Sequence, residues 1–430
     1  MAIGSTLRGL WRSMAEPFPA EGLPLEQALA AVLAAIKPLG QRQWLPLAQA
    51  LGRVCAEAVL ATEAIPGFRA SILDGYAVAD GQEPPLGQRW RLVGRSAPAR
   101  PYGQPLQPGE AIRILTGAPL PLGAVRVLAQ ELMHTDGSGQ VELVKPAGER
   151  VWVRGPEEEA SPGQELVAGG VRLTPALLGR LAACGVARVP VVAAPRIALL
   201  ITGDELVAAG QPRPSGAIWE SNSTLLQALL QRLGYGVAQC QVVADDPAAL
   251  RRSLAQLAEV ADVVVSTGGV SAGDSDWIRP LLQELGEVEF WKLFLKPGRP
   301  FAFGSLRRAD GGAVPLFGLP GNPVAAAITA LQLLWPALQQ MEGAEPRPCP
   351  RFQLPLAQPL RRPAGRPELA RARLQVDAAG ALSALVEGSQ ASSRIGSLQE
   401  ADLLLELPAE LAELPAGALV WAQLLRLPLF

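Results

Sequence analysis

The 430-residue sequence has one histidine, His134, and four widely separated cysteines, Cys55, Cys184, Cys240 and Cys349. A single imidazole excludes any mechanism that needs two. Cysteines with no C-x-x-C pair exclude a disulfide framework and a cysteine zinc site, and they point to a reducing cytosol. No run of about eighteen uncharged apolar residues, the length a membrane span requires, is read from the sequence. The first eighteen residues lack the apolar stretch and small-residue cleavage site of a secretory signal, so the expected location is cytoplasmic. A formal net charge of −2 leaves no electrostatic footprint for nucleic acid or an anionic membrane. With 49% hydrophobic and 18% charged residues, the chain reads as packed rather than disordered. Its length implies more than one core.

Scarcity also locates chemistry. Thirty-four arginines stand against four lysines, Lys37, Lys145, Lys292 and Lys296. A lysine that survives in such a background suits a compact, rotatable point charge, and two of the four fall in WKLFLKPGRP (291–300). Asparagine occurs twice, at Asn222 and Asn322, and seven of twelve aspartates lie between residues 196 and 323. Turn chemistry alone attracts Asp and Asn to loops. A shared sheet edge would make the clustering functional.

The central segment alternates strands with helices. Apolar runs at 196–201, 237–243, 262–266 and 315–319 read as strands. Asn222 is expected to cap a helix ending at Gly234, and Asp246-Pro247 and Asn322-Pro323 to open two more. This pattern predicts a doubly wound α/β domain. Residues 23–39 and 174–184 read as helical, the second capped by Thr174 and ended by Gly185. Residues 51–154 read as an irregular β region. After a Pro-rich linker at 344–352, the remainder predicts a small β-barrel or sandwich.

In an open α/β sheet, ligands bind beyond the carboxyl ends of the strands. The loops Thr202-Gly203-Asp204-Glu205, 267–276 and Leu319-Pro320-Gly321-Asn322-Pro323 should converge there. Gly203, Gly268, Gly269, Gly273 and Gly321 offer backbone to phosphate oxygens. Asp204, Glu205, Asp274 and Asp276 offer hard oxygens for Mg²⁺, with Asp245 and Asp246 at the same edge. Lys292, Lys296 and Arg299 supply cations. Together these favour an anionic, phosphate-bearing ligand and a divalent metal. Gly269-Val270-Ser271-Ala272-Gly273 also matches the nucleophile elbow of α/β-hydrolases, but His134 precedes the serine and lies in another region, which excludes that triad order. His134 itself is expected in a surface turn.

The motifs SILDGYAV (71–78), RILTGAPLPLGAVRVLAQE (113–131), LLITGDEL (199–206), STGGVSAGDSDW (266–277), WKLFLKPGRPFAFG (291–304), FGLPGNPVAA (317–326) and GSQASSRIGSL (388–398) resemble those of the molybdopterin molybdenumtransferases. The resemblance runs from about residue 22 to 428. It implies insertion of molybdate into adenylated molybdopterin with Mg²⁺-assisted release of AMP. It also implies a homodimer with a shared active site and four domains: 21–50 with 155–193, 51–154, 194–343 (a molybdopterin-binding type) and 344–430. Carried over by motif, Asp74 and Thr116 would complete the site of the other subunit. Glu205 and Asp276 would serve metal and pterin-nucleotide binding, with Asp246 a further metal ligand. Lys292 and Lys296 would hold phosphate or molybdate beside Pro320 and Pro323. Ser392, Ser393 and Arg394, with Arg366 or Arg371, would bind the oxyanion. The chain departs from the family pattern at Arg69-Ala70, Glu157-Glu158-Glu159, Arg299 and Ala325. An adenylyltransferase of the same pathway shares the α/β domain but would leave residues 22–195 and 344–430 without a role. A non-catalytic scaffold would need a further partner-binding domain.

Overall fold

The computed structural model describes residues 22–270, 276–386 and 388–426. Ser271, Gly273 and Asp274, expected in the substrate site, lie outside the described residues. The chain forms two compact units.

The smaller unit comprises residues 44–51 and 57–189. Its six-stranded sheet runs in the order Arg126–Ala129, Gly75–Val78, Glu110–Ile114, Arg89–Ser96, Gln140–Leu143, Met133–His134. Successive residues divide between two cores: Tyr76, Val78 and Leu128 with Trp90 in one, Ala77, Ile112 and Val127 in the other. This is the period-two split of a strand buried on both faces. His134 is exposed but sits in the sheet's short edge strand, opposite Glu142, rather than in a turn. The helix Pro175–Ala183 starts where expected, with Thr174 Oγ1 accepting the Leu177 N–H at 3.3 Å. Gly185, at φ +77°, follows its end.

The larger unit is built from the described residues of 1–43, 52–56 and 190–430. Its α/β part contains, in chain order, β1 (Ile197–Thr202), α1 (Asn222–Arg232), β2 (Val237–Val243), α2 (Pro247–Val260), β3 (Val263–Thr267), α3 (Ile278–Leu285), β4 (Gly286–Trp291), β5 (Ala302–Arg307), β6 (Ala313–Leu319) and α4 (Pro323–Thr329). The sheet order is β2-β1-β3-β6-β5-β4. The first four strands are parallel, and β4 and β5 run antiparallel at one side, an addition to the four strands read from the sequence.

Ile197 and Leu199 of β1 face a core shared with Leu226 and Leu230 of α1 and with Val32 of the helix Leu25–Ala35. Ala198 and Leu200 face a second core with Leu250, Leu254 and Leu257 of α2 and Leu281 of α3. Both faces are therefore covered, which is why these strands read as unbroken apolar runs. Each fully buried leucine contributes roughly 1.5–3 kcal/mol.

The C-terminal part contains β7 (Arg351–Pro355), β8 (Glu368–Val376), β9 (Leu382–Leu385), β10 (Leu403–Leu407) and β11 (Leu419–Leu424), antiparallel in the order β7-β11-β10-β8-β9. A bridge between Leu356 and Ala384 joins the sheet's two ends, so it is a nearly closed barrel. Leu354, Ala370, Leu405 and Ala422 belong to its core. Among the described residues no disulfide joins any of the four cysteines. Among the described residues no helix is long and apolar enough to cross a membrane.

Candidate functional site

The carboxyl ends of β1, β3 and β6 open into a cleft of about 1000 Å³. The loops following these strands line it, together with residues 295–300, Arg366 and residues 390–393. Thr202 ends β1 and donates from Oγ1 to Asp245 Oδ1 at 2.5 Å. Asp204 Oδ1 accepts the Asp245 N–H at 3.0 Å, so the two loops are tied together.

Main chain forms the base of the cleft. Gly268 has φ +87°, and a Cβ there would lie 2.3 Å from the Thr202 carbonyl oxygen. Gly269 follows at φ +64°. Only glycine satisfies both the left-handed backbone and the close approach. Gly321 faces this pair: a Cβ on it would lie 3.6 Å from Gly268 Cα.

Cations and carboxylates share the walls. Lys296, Arg299 and Arg366 line the cleft, as do Glu205, Glu220, Asp245 and Asp276. Lys296 Nζ is 3.0 Å from Glu368 Oε1. Among the described residues no group of three or more His, Cys, Asp or Glu side chains is placed to hold a metal by itself.

Of the residues expected from the sequence, the cleft gathers Gly203, Glu205, Gly268, Gly269, Asp276, Lys296, Arg299, Pro320, Gly321, Asn322, Pro323, Ser392 and Ser393. Others do not line it. Asp246 is the N-cap of α2, its Oδ1 accepting the Ala249 N–H at 2.7 Å, and Asp245 lines the cleft in its place. Asp204 holds the neighbouring loop through the bond to Asp245. Lys292 has φ +65° and its Nζ lies over the Trp291 ring, 3.9 Å from the centroid. Arg371 is buried, with Nε donating to Ser397 Oγ at 3.1 Å and Nη2 to the Ala391 carbonyl at 3.2 Å. It braces the 390–397 loop from behind, while Arg366 lines the cleft. Arg394 is exposed and outside the lining.

Asn222 is not the cap of α1 but its first residue; Ser221 occupies the cap position. The Glu220 carboxylate accepts the Ser223 N–H at 2.8 Å. Asn222 instead turns its amide inward, toward Gly321 and Thr267. Trp219, Glu220 and Asn222 were not read from the sequence as site residues. The signal that marked Asn222 was its rarity.

In the smaller unit, Asp74 precedes the strand Gly75–Val78 and Thr116 follows the antiparallel strand Glu110–Ile114, in which Ile114 faces Gly75. The strand register therefore sets the two residues side by side. Asp74 Oδ1 accepts both the Thr116 N–H and its hydroxyl at 2.7 Å. These hydrogen bonds, with the nearby Arg113 guanidinium, hold the Asp74 carboxyl below the ordinary carboxylate range.

Comparison with known proteins matches three family descriptions along the chain. Residues 23–185 match the MoeA N-terminal region (domains I and II), residues 198–340 a probable molybdopterin binding domain, and residues 353–425 the MoeA C-terminal region (domain IV). The chain is 31% identical over 404 residues to the molybdopterin molybdenumtransferase of Haemophilus influenzae, covering 93% of this chain and 97% of that one. It is 32% identical over 407 residues to molybdopterin molybdenumtransferase 2 of Mycobacterium tuberculosis, covering 91% and 96%. Two crystal structures of the molybdopterin biosynthesis MoeA protein of Pyrococcus horikoshii are similar in fold, with TM-scores of 0.76 and 0.79 at 28% and 25% identity. Each covers 94% of this chain, and 99% and 100% of their own.

Proposed function

The chain belongs to the MoeA family and is a transferase of molybdenum cofactor biosynthesis; on that premise we propose that it inserts molybdate into adenylated molybdopterin and releases AMP. The observation that carries this reading is one cleft in which a glycine base meets three cationic walls, Lys296, Arg299 and Arg366, and two hard-oxygen donors, Glu205 and Asp276. Such a surface suits a substrate bearing a pyrophosphate together with an oxyanion co-substrate.

Each group has a task in that reaction. Gly268 and Gly269 let the phosphate chain approach the backbone, because no side chain stands in the way. Lys296 and Arg299 neutralise the anions, Lys296 as a point charge and Arg299 as a planar fork. Ser392 and Ser393, with Arg366, face the oxyanion. Glu205 and Asp276 are the residues that would hold Mg²⁺. Among the described residues no three such side chains converge, which fits the usual magnesium arrangement of one or two carboxylates with substrate phosphates and water completing the shell. When bound, the ion neutralises charge on the phosphoanhydride as it breaks.

The finer architecture belongs to the same proposal: four domains, a cytoplasmic homodimer, and Asp74 with Thr116 completing the partner subunit's site. The test incubates purified protein with adenylated molybdopterin, molybdate and Mg²⁺, and follows AMP and active cofactor. Release of AMP dependent on molybdate is expected. Its absence would overturn the proposal.

A further inference from the structure

The two asparagines of the chain both spend their side-chain amides on the same loop. Asn222, 8% exposed, donates from Nδ2 to the Gly321 carbonyl at 2.7 Å and to Thr267 Oγ1 at 3.3 Å. Asn322 donates from Nδ2 to Ser392 Oγ at 3.1 Å, and the Val324 N–H donates to the Ser392 carbonyl at 3.1 Å. The loop from Pro320 to Pro323 is thus fastened on one side to the end of β3 and the start of α1. On the other side it is fastened to the barrel segment that carries Ser392 and Ser393.

The orientation of Asn222 is set by chemistry, because the Gly321 carbonyl can accept but never donate. Its Oδ1 is buried without a hydrogen-bond partner. An orphaned buried acceptor is costly, and a serine or alanine at this helix position would avoid it. What the position gains in return is the pair of donor contacts to Gly321 and Thr267.

We infer that Asn222 and Asn322 are positioning residues for the transfer reaction: by bracing the Pro320–Pro323 loop from both sides, they set the grip of the cleft on its anionic substrate. This rests on the function proposed above. A residue that merely supports the fold would tolerate any replacement of equal stability. These two make different demands. At position 322 an alanine loses one exposed bond, to Ser392, whereas at position 222 it loses two inward-facing ones, to Gly321 and Thr267.

The experiment measures AMP release from adenylated molybdopterin by the full chain and four variants, with kcat and KM resolved. Asn222→Ala and Asn222→Asp are expected to raise KM about tenfold or more. Asn322→Ala should raise it about threefold, as suits an exposed bond, and Asn322→Asp at least as much, since its carboxylate also repels the anionic substrate. In all four, kcat should change less than KM, because the loop binds substrate and transition state alike. Asn322 is exposed, so its two variants keep the fold and decide the question if those at 222 do not. An Asn322→Ala variant, or a folded Asn222→Ala variant, with unchanged KM would overturn the inference. An unaltered chain that releases no AMP sinks the proposed reaction instead.

Discussion

Lys296 Nζ lies 3.0 Å from Oε1 of Glu368, a carboxylate 2% exposed at the first residue of β8. The main chains meet as well: the Lys296 N–H donates to the Pro367 carbonyl at 2.9 Å, and the Leu369 N–H to the Lys296 carbonyl at 2.8 Å. A cation in the wall of the α/β cleft is therefore held by the barrel. Glu368→Gln keeps the shape and removes the charge. Because the lysine is half-exposed, the loss should be well under that of a fully buried pair, roughly 1–3 kcal/mol in denaturant unfolding. A change below about 0.5 kcal/mol would mean that solvent already screens the pair.

Asp74 carries a pH signature. The Thr116 hydrogen bonds lower its folded pKa, so their stabilising contribution is complete above the ordinary carboxylate value. It is lost as pH falls through the lowered folded value, that is, on the acid side of about pH 4. Thr116→Val keeps the backbone bond and removes the hydroxyl one, so it should raise the carboxyl pKa part of the way toward the ordinary range, read by NMR titration. An unmoved titration would remove the hydroxyl from the causes and leave the backbone N–H. Asp74→Asn tests the proposed role directly, since unchanged turnover would remove this carboxylate from the shared site.

Gly268→Ala should be among the most damaging single-methyl additions. The new carbon would stand 2.3 Å from the Thr202 oxygen in a left-handed backbone, and relief must move the end of β1. A stability loss of about 2 kcal/mol or more is expected from chemical denaturation. An undisturbed midpoint would show that the loop relaxes freely.

The cysteines should separate by reactivity. Burial pushes the Cys349 thiol up to about 11, and Cys55 and Cys184 are also buried. Cys240 is exposed. A thiol reagent at neutral pH should therefore modify Cys240 first and reach the other three on unfolding. Mass spectrometry that found Cys349 labelled early in the folded protein would refute this order.

Chelation addresses the metal. Removing Mg²⁺ should stop AMP release and restoring it should rescue activity, while Glu205→Gln and Asp276→Asn should raise the Mg²⁺ concentration required. Full activity in chelator would eliminate the ion from the mechanism.

The layout was readable wherever one local rule governed the outcome. Thr174 and Asp246 were expected at helix N-caps and occupy them. The loops after β1, β3 and β6 meet because parallel strands bring like ends together. What stayed hidden depends on which way a neighbour turns. Asp245 and Asp246 are adjacent, yet one lines the cleft and the other caps a helix. Lys292 and Lys296 share one short motif, but the first lies over Trp291 while the second reaches the cleft. Arg366 and Arg371 differ likewise, since β8 carries Arg371 into a buried position behind the loop. Asn222 obeyed neither its cap propensity nor its helix position. Its partner Gly321 lies 99 residues away, a separation that no local rule spans.

A cleft whose base is main chain has an evolutionary consequence. Side-chain mutation can recolour the walls formed by Trp219 and Glu220, but it has no side chain to remove at Gly268 and Gly269. Divergence within such a site should thus alter which molecule is preferred sooner than whether an anion is held at all.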